Sequence, residues 1–168
     1  MSPLEADLPA RLDVVGSWTV RSVAELADVR AELETRLPCG CSAARAPAGD
    51  DSLPGSLSGA QRMVLVASEL VSNGLEHAEP PVTVRLLCDG HVAVLDVVDH
   101  SPDAAPVVPR DRQPGEGGFG LRLAERVADR VGWFRTAAGE KHVWAEFRGR
   151  VHVRPGAHPT DARARSPR

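Results

Sequence analysis

The chain of 168 residues has no apolar run long enough to cross a bilayer, which excludes a helical membrane span. It also lacks any large excess of charge of one sign. A formal net charge of −3 supplies no general attraction to nucleic acid or to an anionic lipid surface, so neither is expected as a partner. The opening, "MSPLEADLPARLD", carries acidic residues where a secretory signal would place its apolar core. A soluble, cytoplasmic protein is expected. Cysteine is sparse: Cys39, Cys41 and Cys88 make three, an odd number that fits reduced thiols better than a disulfide framework. Cys39-Gly40-Cys41 has no third and fourth ligand at suitable spacing and reads as a loop with incidental thiols. Lys141 is the only lysine, and no G-x-x-x-x-G-K-[ST] stretch occurs, so a Walker-type phosphate loop is excluded. No internal repeat is present.

What remains has ordinary globular proportions, 42% hydrophobic and 26% charged residues, enough for one core. Residues 1–153 are expected to form a single domain, and residues 154–168, without apolar content, a disordered tail. "LDVVGSWTV" (12–20) reads as a strand. Ser22 with Glu25 reads as a capping box for a helix to about Leu37, with Val23, Leu26, Leu33 and Leu37 inward. Residues 38–59, rich in small residues, glycine and proline, read as a flexible inserted loop. Ser58 with Gln61 opens a second helix, ending near Ala78, with Met63, Val66, Ala67, Leu70, Val71 and Gly74 on one side. "VTVRLLC" and "HVAVLDVVD", joined by Asp89-Gly90, predict an antiparallel hairpin. A proline-rich loop (100–114) and a glycine cluster lead into a helix to about Val131, with Leu121, Ala124, Val127, Ala128 and Val131 inward and Arg122, Arg126 and Arg130 outward. "GWFRTA" and "KHVWAEF" predict a last hairpin turning at Ala138-Gly139. This order predicts an α+β two-layer sandwich, a mostly antiparallel sheet with about three helices on one face.

Three places carry candidate chemistry. Gly115, Gly117 and Gly120 fit the dinucleotide spacing G-x-G-x-x-G, but prolines rather than a strand precede them, so a Rossmann turn and a nicotinamide-dependent oxidoreductase are poorly supported. Glycines before a helix start suit a phosphate, and equally suit a flexible loop. Glu69 and Asn73 stand one helical turn apart, with His77 continuing the row. A carboxylate beside a carboxamide oxygen suits Mg²⁺ with its water shell and a polarised hydroxyl; a solvated helix face is the alternative. Asp99, ending a strand before the long loop, is placed to accept a hydrogen bond from a base amine, or is an ordinary strand-end aspartate.

Together, in this order, these motifs resemble the histidine kinase-like ATPase superfamily (the Bergerat fold), and within it the small bacterial anti-sigma-factor serine/threonine kinases. The resemblance covers roughly residues 12–148. The asparagine box matches as Glu69-x-x-x-Asn73-x-x-x-His77, the first glycine box as Asp99-His100-Ser101-Pro102, and the second as Gly115-x-Gly117-Gly118-x-Gly120-Leu121. Asp99-His100-Ser101-Pro102-Asp103 lacks the glycines of the D-x-G-x-G form, which is similar to the anti-sigma subgroup. No histidine precedes His77, so nothing resembles a phospho-accepting dimerisation helix.

The resemblance implies ATP and Mg²⁺ as cofactors. It implies Glu69 as the residue that orients or deprotonates the attacking hydroxyl, Asn73 as the Mg²⁺ ligand and Asp99 as the adenine partner. Ser101, Gly115, Gly117, Gly118, Phe119, Gly120 and Leu121 would line the nucleotide, and His142 stands where the family commonly has a supporting threonine. It further implies an anti-sigma-factor antagonist as substrate, a sigma factor as a further partner, and a homodimer. The alternative is a partner-sequestering module with or without bound ATP.

Overall fold

A computed structural model describes residues 4–9, 11–37, 57–101, 119–149 and 153. Its elements are β1 (Leu4–Glu5), β2 (Asp13–Val20), α1 (Leu26–Arg36), α2 (Gly59–His77), β3 (Val82–Cys88), β4 (Val92–Asp99), α3 (Phe119–Val127), β5 (Arg130–Arg135) and β6 (Lys141–Arg148). The strands form a six-stranded sheet in the order β1-β5-β6-β4-β3-β2. All neighbours are antiparallel except β1, which runs parallel to β5. The α+β two-layer sandwich predicted from the sequence is therefore the fold.

Strand parity divides the sheet into two faces. Val82, Val84 and Leu86 of β3, Ala93, Leu95 and Val97 of β4, and Val143, Ala145 and Phe147 of β6 join the inward stripes of the three helices in the main core. On the other face a smaller cluster holds Leu87, Val94 and Trp144, covered by Ala6, Leu8 and Leu12. Trp144 donates its indole N–H to the Ala6 carbonyl at 2.8 Å, which ties the beginning of the chain to β6. This back-face layer and β1 were not expected.

The central helix is α2, which packs against α1, α3, β3, β4 and β6. Its capping box forms as the sequence predicts: the Ser58 hydroxyl accepts from the Gln61 amide, and the Gln61 side chain accepts from the Ser58 amide. The Asp89-Gly90 hairpin also forms, with Gly90 at φ 91° and the Asp89 carboxylate accepting from the amides of His91 and Val92.

Two elements depart from expectation. Before α1, Glu25 accepts from the Arg21 amide at 2.8 Å, and a turn of i→i+3 hydrogen bonds carries the chain from Ser22 into the helix. The Ser22 box is thus replaced by a longer turn, Val23 is left 66% exposed, and Val29 joins Leu26 and Leu33 in the core. The third helix stops at Val127 instead of reaching Val131. Val131 fits both a helical row after Val127 and the strand alternation with Trp133; pairing of β5 with β6 selects the strand. Arg130 therefore lies on β5, where it pairs with Glu146 at 3.6 Å, and is not on the outer face of α3. The expected loop 38–59 lies outside the described residues up to residue 56, as do Cys39, Cys41, most of the loop 100–114 and the tail 154–168.

Candidate functional site

The site is built from the second half of α2. Glu69 and Asn73 lie one turn apart on it, both half-buried, and His77 follows in the last turn, exposed. The residue before Glu69 is held from two sides. The Ser68 hydroxyl accepts from Arg30 of α1 at 2.7 Å and donates to the Val64 carbonyl at 2.8 Å. The Arg30 bond ties this turn of α2 to α1, next to the residue that carries the carboxylate.

The beginning of α3 closes on this row. A Cβ at Gly120 would stand 2.8 Å from Glu69 Oε2, 2.9 Å from Glu69 Cβ and 3.1 Å from Asn73 Nδ2. The glycine is required by proximity, because no side chain fits between the two helices here. Leu121, the next residue, is buried in the core and anchors the turn. The positive dipole end of α3 thus lies beside a carboxylate and a carboxamide. Phe119 opens the helix; its side chain, with Gly115, Gly117 and Gly118, lies outside the described residues.

Asp99, the last residue of β4, enters from the sheet. Its parity with Ala93, Leu95 and Val97 places it on the helix-facing side, where it is buried. Its Oδ1 accepts the Ser101 amide at 2.8 Å, a short turn that sets the plane of the carboxylate. Its Oδ2 pairs with Lys141 Nζ at 3.1 Å. The end of β4 and the end of α2 lie at one end of the sheet. A Cβ on Gly74 would meet Val82 Cγ2 at 3.1 Å, and in the β3–β4 register Thr83 faces Val98, one residue from Asp99.

The structure brings Glu69, Asn73, Gly120, Leu121, Asp99 and Ser101 to this end of the sandwich. It does not bring His142 there. That ring shares strand parity with Trp144 and lies on the back face, stacked on Phe134 at 4.3 Å between centroids. Its Nδ1 is 3.1 Å from Asp96, whose carboxylate also accepts from Arg85. Lys141, one residue earlier, occupies the helix-facing position beside Asp99. It was not selected from the sequence, although one signal pointed to it: the alternation Lys141, Val143, Ala145, Phe147 puts a lysine at a core-parity position.

Chemically, the arrangement offers a buried acceptor–donor pair, Asp99 with Lys141, at the sheet and a half-exposed carboxylate and carboxamide at the helices. Among the described residues no group of three or more histidine, cysteine, aspartate or glutamate side chains stands close enough to cage a metal. A hard cation here would take the Asn73 oxygen and fill its shell from ligand oxygens and water, as Mg²⁺ does in phosphate sites. Among the described residues no helix is long and apolar enough to cross a membrane.

Residues 17–147, from β2 through β6, match the family model described as the histidine kinase-like ATPase domain. No curated protein matches the chain significantly.

Proposed function

Because the chain belongs to the histidine kinase-like ATPase family, we propose that it binds ATP between α2, the start of α3 and Asp99, and transfers the γ-phosphate to a serine or threonine of a protein partner. The observation that carries this reading is the approach of Gly120 to Glu69 and Asn73. Phosphoryl transfer asks a protein mainly for positioning and for neutralisation of charge. A helix start laid against a carboxylate and a carboxamide supplies both.

In this reading Asp99 accepts from the adenine amine, and the glycine segment ending at Gly120 and Leu121 covers the phosphates, with Ser101 and Phe119 beside the nucleotide. Asn73 holds Mg²⁺, which neutralises phosphate charge when bound. Glu69 accepts the proton of the attacking hydroxyl as its oxygen bonds to the γ-phosphorus and the bridging β,γ P–O bond breaks, releasing ADP. The finer assignment is an anti-sigma-factor kinase acting in the cytoplasm, as a homodimer, on an anti-sigma-factor antagonist. The form Asp99-His100-Ser101-Pro102 supports it.

Titration of the purified chain with ADP and ATP, with and without Mg²⁺, tests the pocket. Magnesium-dependent binding that is lost in Asp99→Asn is expected; absence of binding by the native chain would overturn the reading. Glu69→Ala is expected to abolish transfer of labelled phosphate to an antagonist while leaving ADP affinity within about threefold. Equal loss of binding and transfer would make Glu69 a structural residue.

A further inference from the structure

The Asp99–Lys141 pair is unusual for its place. Side chains of both are almost wholly buried, 4% and 8% exposed, at the end of a sheet face whose buried residues are otherwise apolar, among them Val82, Leu95, Val97, Val143, Phe147 and Trp133. Burying two charges costs desolvation that their attraction repays only in good geometry, and apolar residues of similar volume often serve stability as well or better. Stability alone therefore gives no reason for a lysine here. Among the described residues Asp99 is the ion-pair partner of the ammonium, which carries more N–H donors than this contact uses. The carboxylate, turned by the Ser101 amide, likewise keeps lone pairs beyond those engaged by Ser101 and Lys141.

We propose that Lys141 is a specificity-determining residue that donates to N1 of the adenine ring while Asp99 accepts from its N6 amine. The proposal rests on the nucleotide-site reading above. An acceptor and a donor 3.1 Å apart present the complement of adenine's edge, where an N–H donor and a bare ring nitrogen stand side by side. Hypoxanthine or guanine in the same pose would set a carbonyl against the carboxylate and an N1–H against the ammonium, a double mismatch. In a nearly dry site each mismatch leaves a polar group without its partner, which is where hydrogen-bond readout discriminates most. Lys141 thus reads one ring atom, and Asp99 reads its neighbour.

The test is a titration series on the full chain with Mg²⁺, using ADP, 1-deaza-ADP, in which N1 is replaced by C–H, and 3-deaza-ADP, which keeps N1. The native chain is expected to bind ADP and 3-deaza-ADP alike, and 1-deaza-ADP about tenfold more weakly, the scale of one lost hydrogen bond. In Lys141→Met the penalty for 1-deaza-ADP should vanish, with a melting curve checking that the variant is folded. The native chain alone decides the matter if the variant does not fold. Equal binding of ADP and 1-deaza-ADP would overturn the proposal while leaving the nucleotide site in place. So would an unchanged penalty in Lys141→Met, or tighter binding of every nucleotide by that variant, which would make Lys141 an occluder of the pocket. Failure of the native chain to bind ADP would overturn both readings.

Discussion

Gly120 lies so close to Glu69 that a methyl group on it would stand 2.9 Å from the glutamate Cβ and 2.8 Å from its Oε2. The carboxylate end could swing aside, but the Cβ is fixed to the α2 backbone. Gly120→Ala must therefore push α3 away from α2. The expected outcome is a fall in ADP affinity of about tenfold or more, with a stability loss of about 1–3 kcal/mol typical of overpacking, read by titration and by thermal melting.

On the back face the same kind of contact has no functional partner. A Cβ at Gly132 would meet the Trp144 ring at 2.3 Å, and Trp144 cannot retreat without breaking its hydrogen bond to Ala6. Gly132→Ala is expected to lower stability by about 1–3 kcal/mol, and Tm by roughly 2–4 °C for each kcal/mol lost. ADP affinity at low temperature should not change. A melt and a titration on one preparation check both.

Asp96 is fully buried and accepts from both Arg85 and the His142 ring. Asp96→Ala removes the common partner of the two, and the expected cost is about 3 kcal/mol, the lower end for a broken buried pair because the Arg85 side chain is 30% exposed. Asp96→Asn should cost less, since one amide oxygen remains to accept. Denaturant unfolding of the two variants gives the comparison, and neither should alter nucleotide binding.

The amides of His91 and Val92 hold the Asp89 carboxyl below its ordinary value of 3.8. The ionised form therefore stabilises the fold above the unfolded-state value, and the contribution is lost as pH falls through the depressed folded value. Native protein is expected to lose stability through this group below about pH 4, and Asp89→Ala to show a shallower acid limb. Denaturant melts of both proteins between pH 2 and pH 6 check the difference, where roughly the whole titration falls.

Local signals read well where the partner is near in sequence. The Ser58/Gln61 box, the apolar stripe of α2 and the Asp89-Gly90 turn each involve residues within a few positions, and each forms. The one-turn spacing of Glu69 and Asn73 along α2 was legible for the same reason. Lys141 beside Asp99 was not, because β4 and β6 are far apart in the chain and their register is set by the assembled sheet. His142 shows the converse: a motif alignment places a residue along the chain, but strand parity decides which layer it enters, and here it enters the back one. β1 is two residues long, with no periodicity to read, and owes its position to β5 and to the Trp144–Ala6 bond.

The strand order carries a further consequence for biosynthesis. β6, last of the described strands to leave the ribosome, is inserted between β4 and β5, and so completes the middle of the sheet. Until it emerges, the hairpin of β3 and β4 has an open edge, β5 has no antiparallel neighbour, and Trp144 is not yet there to receive the first residues of the chain. Unpaired edges of this kind are templates for association with other chains. One eight-residue segment thus seals two exposed edges of the sheet and seats the buried lysine against Asp99.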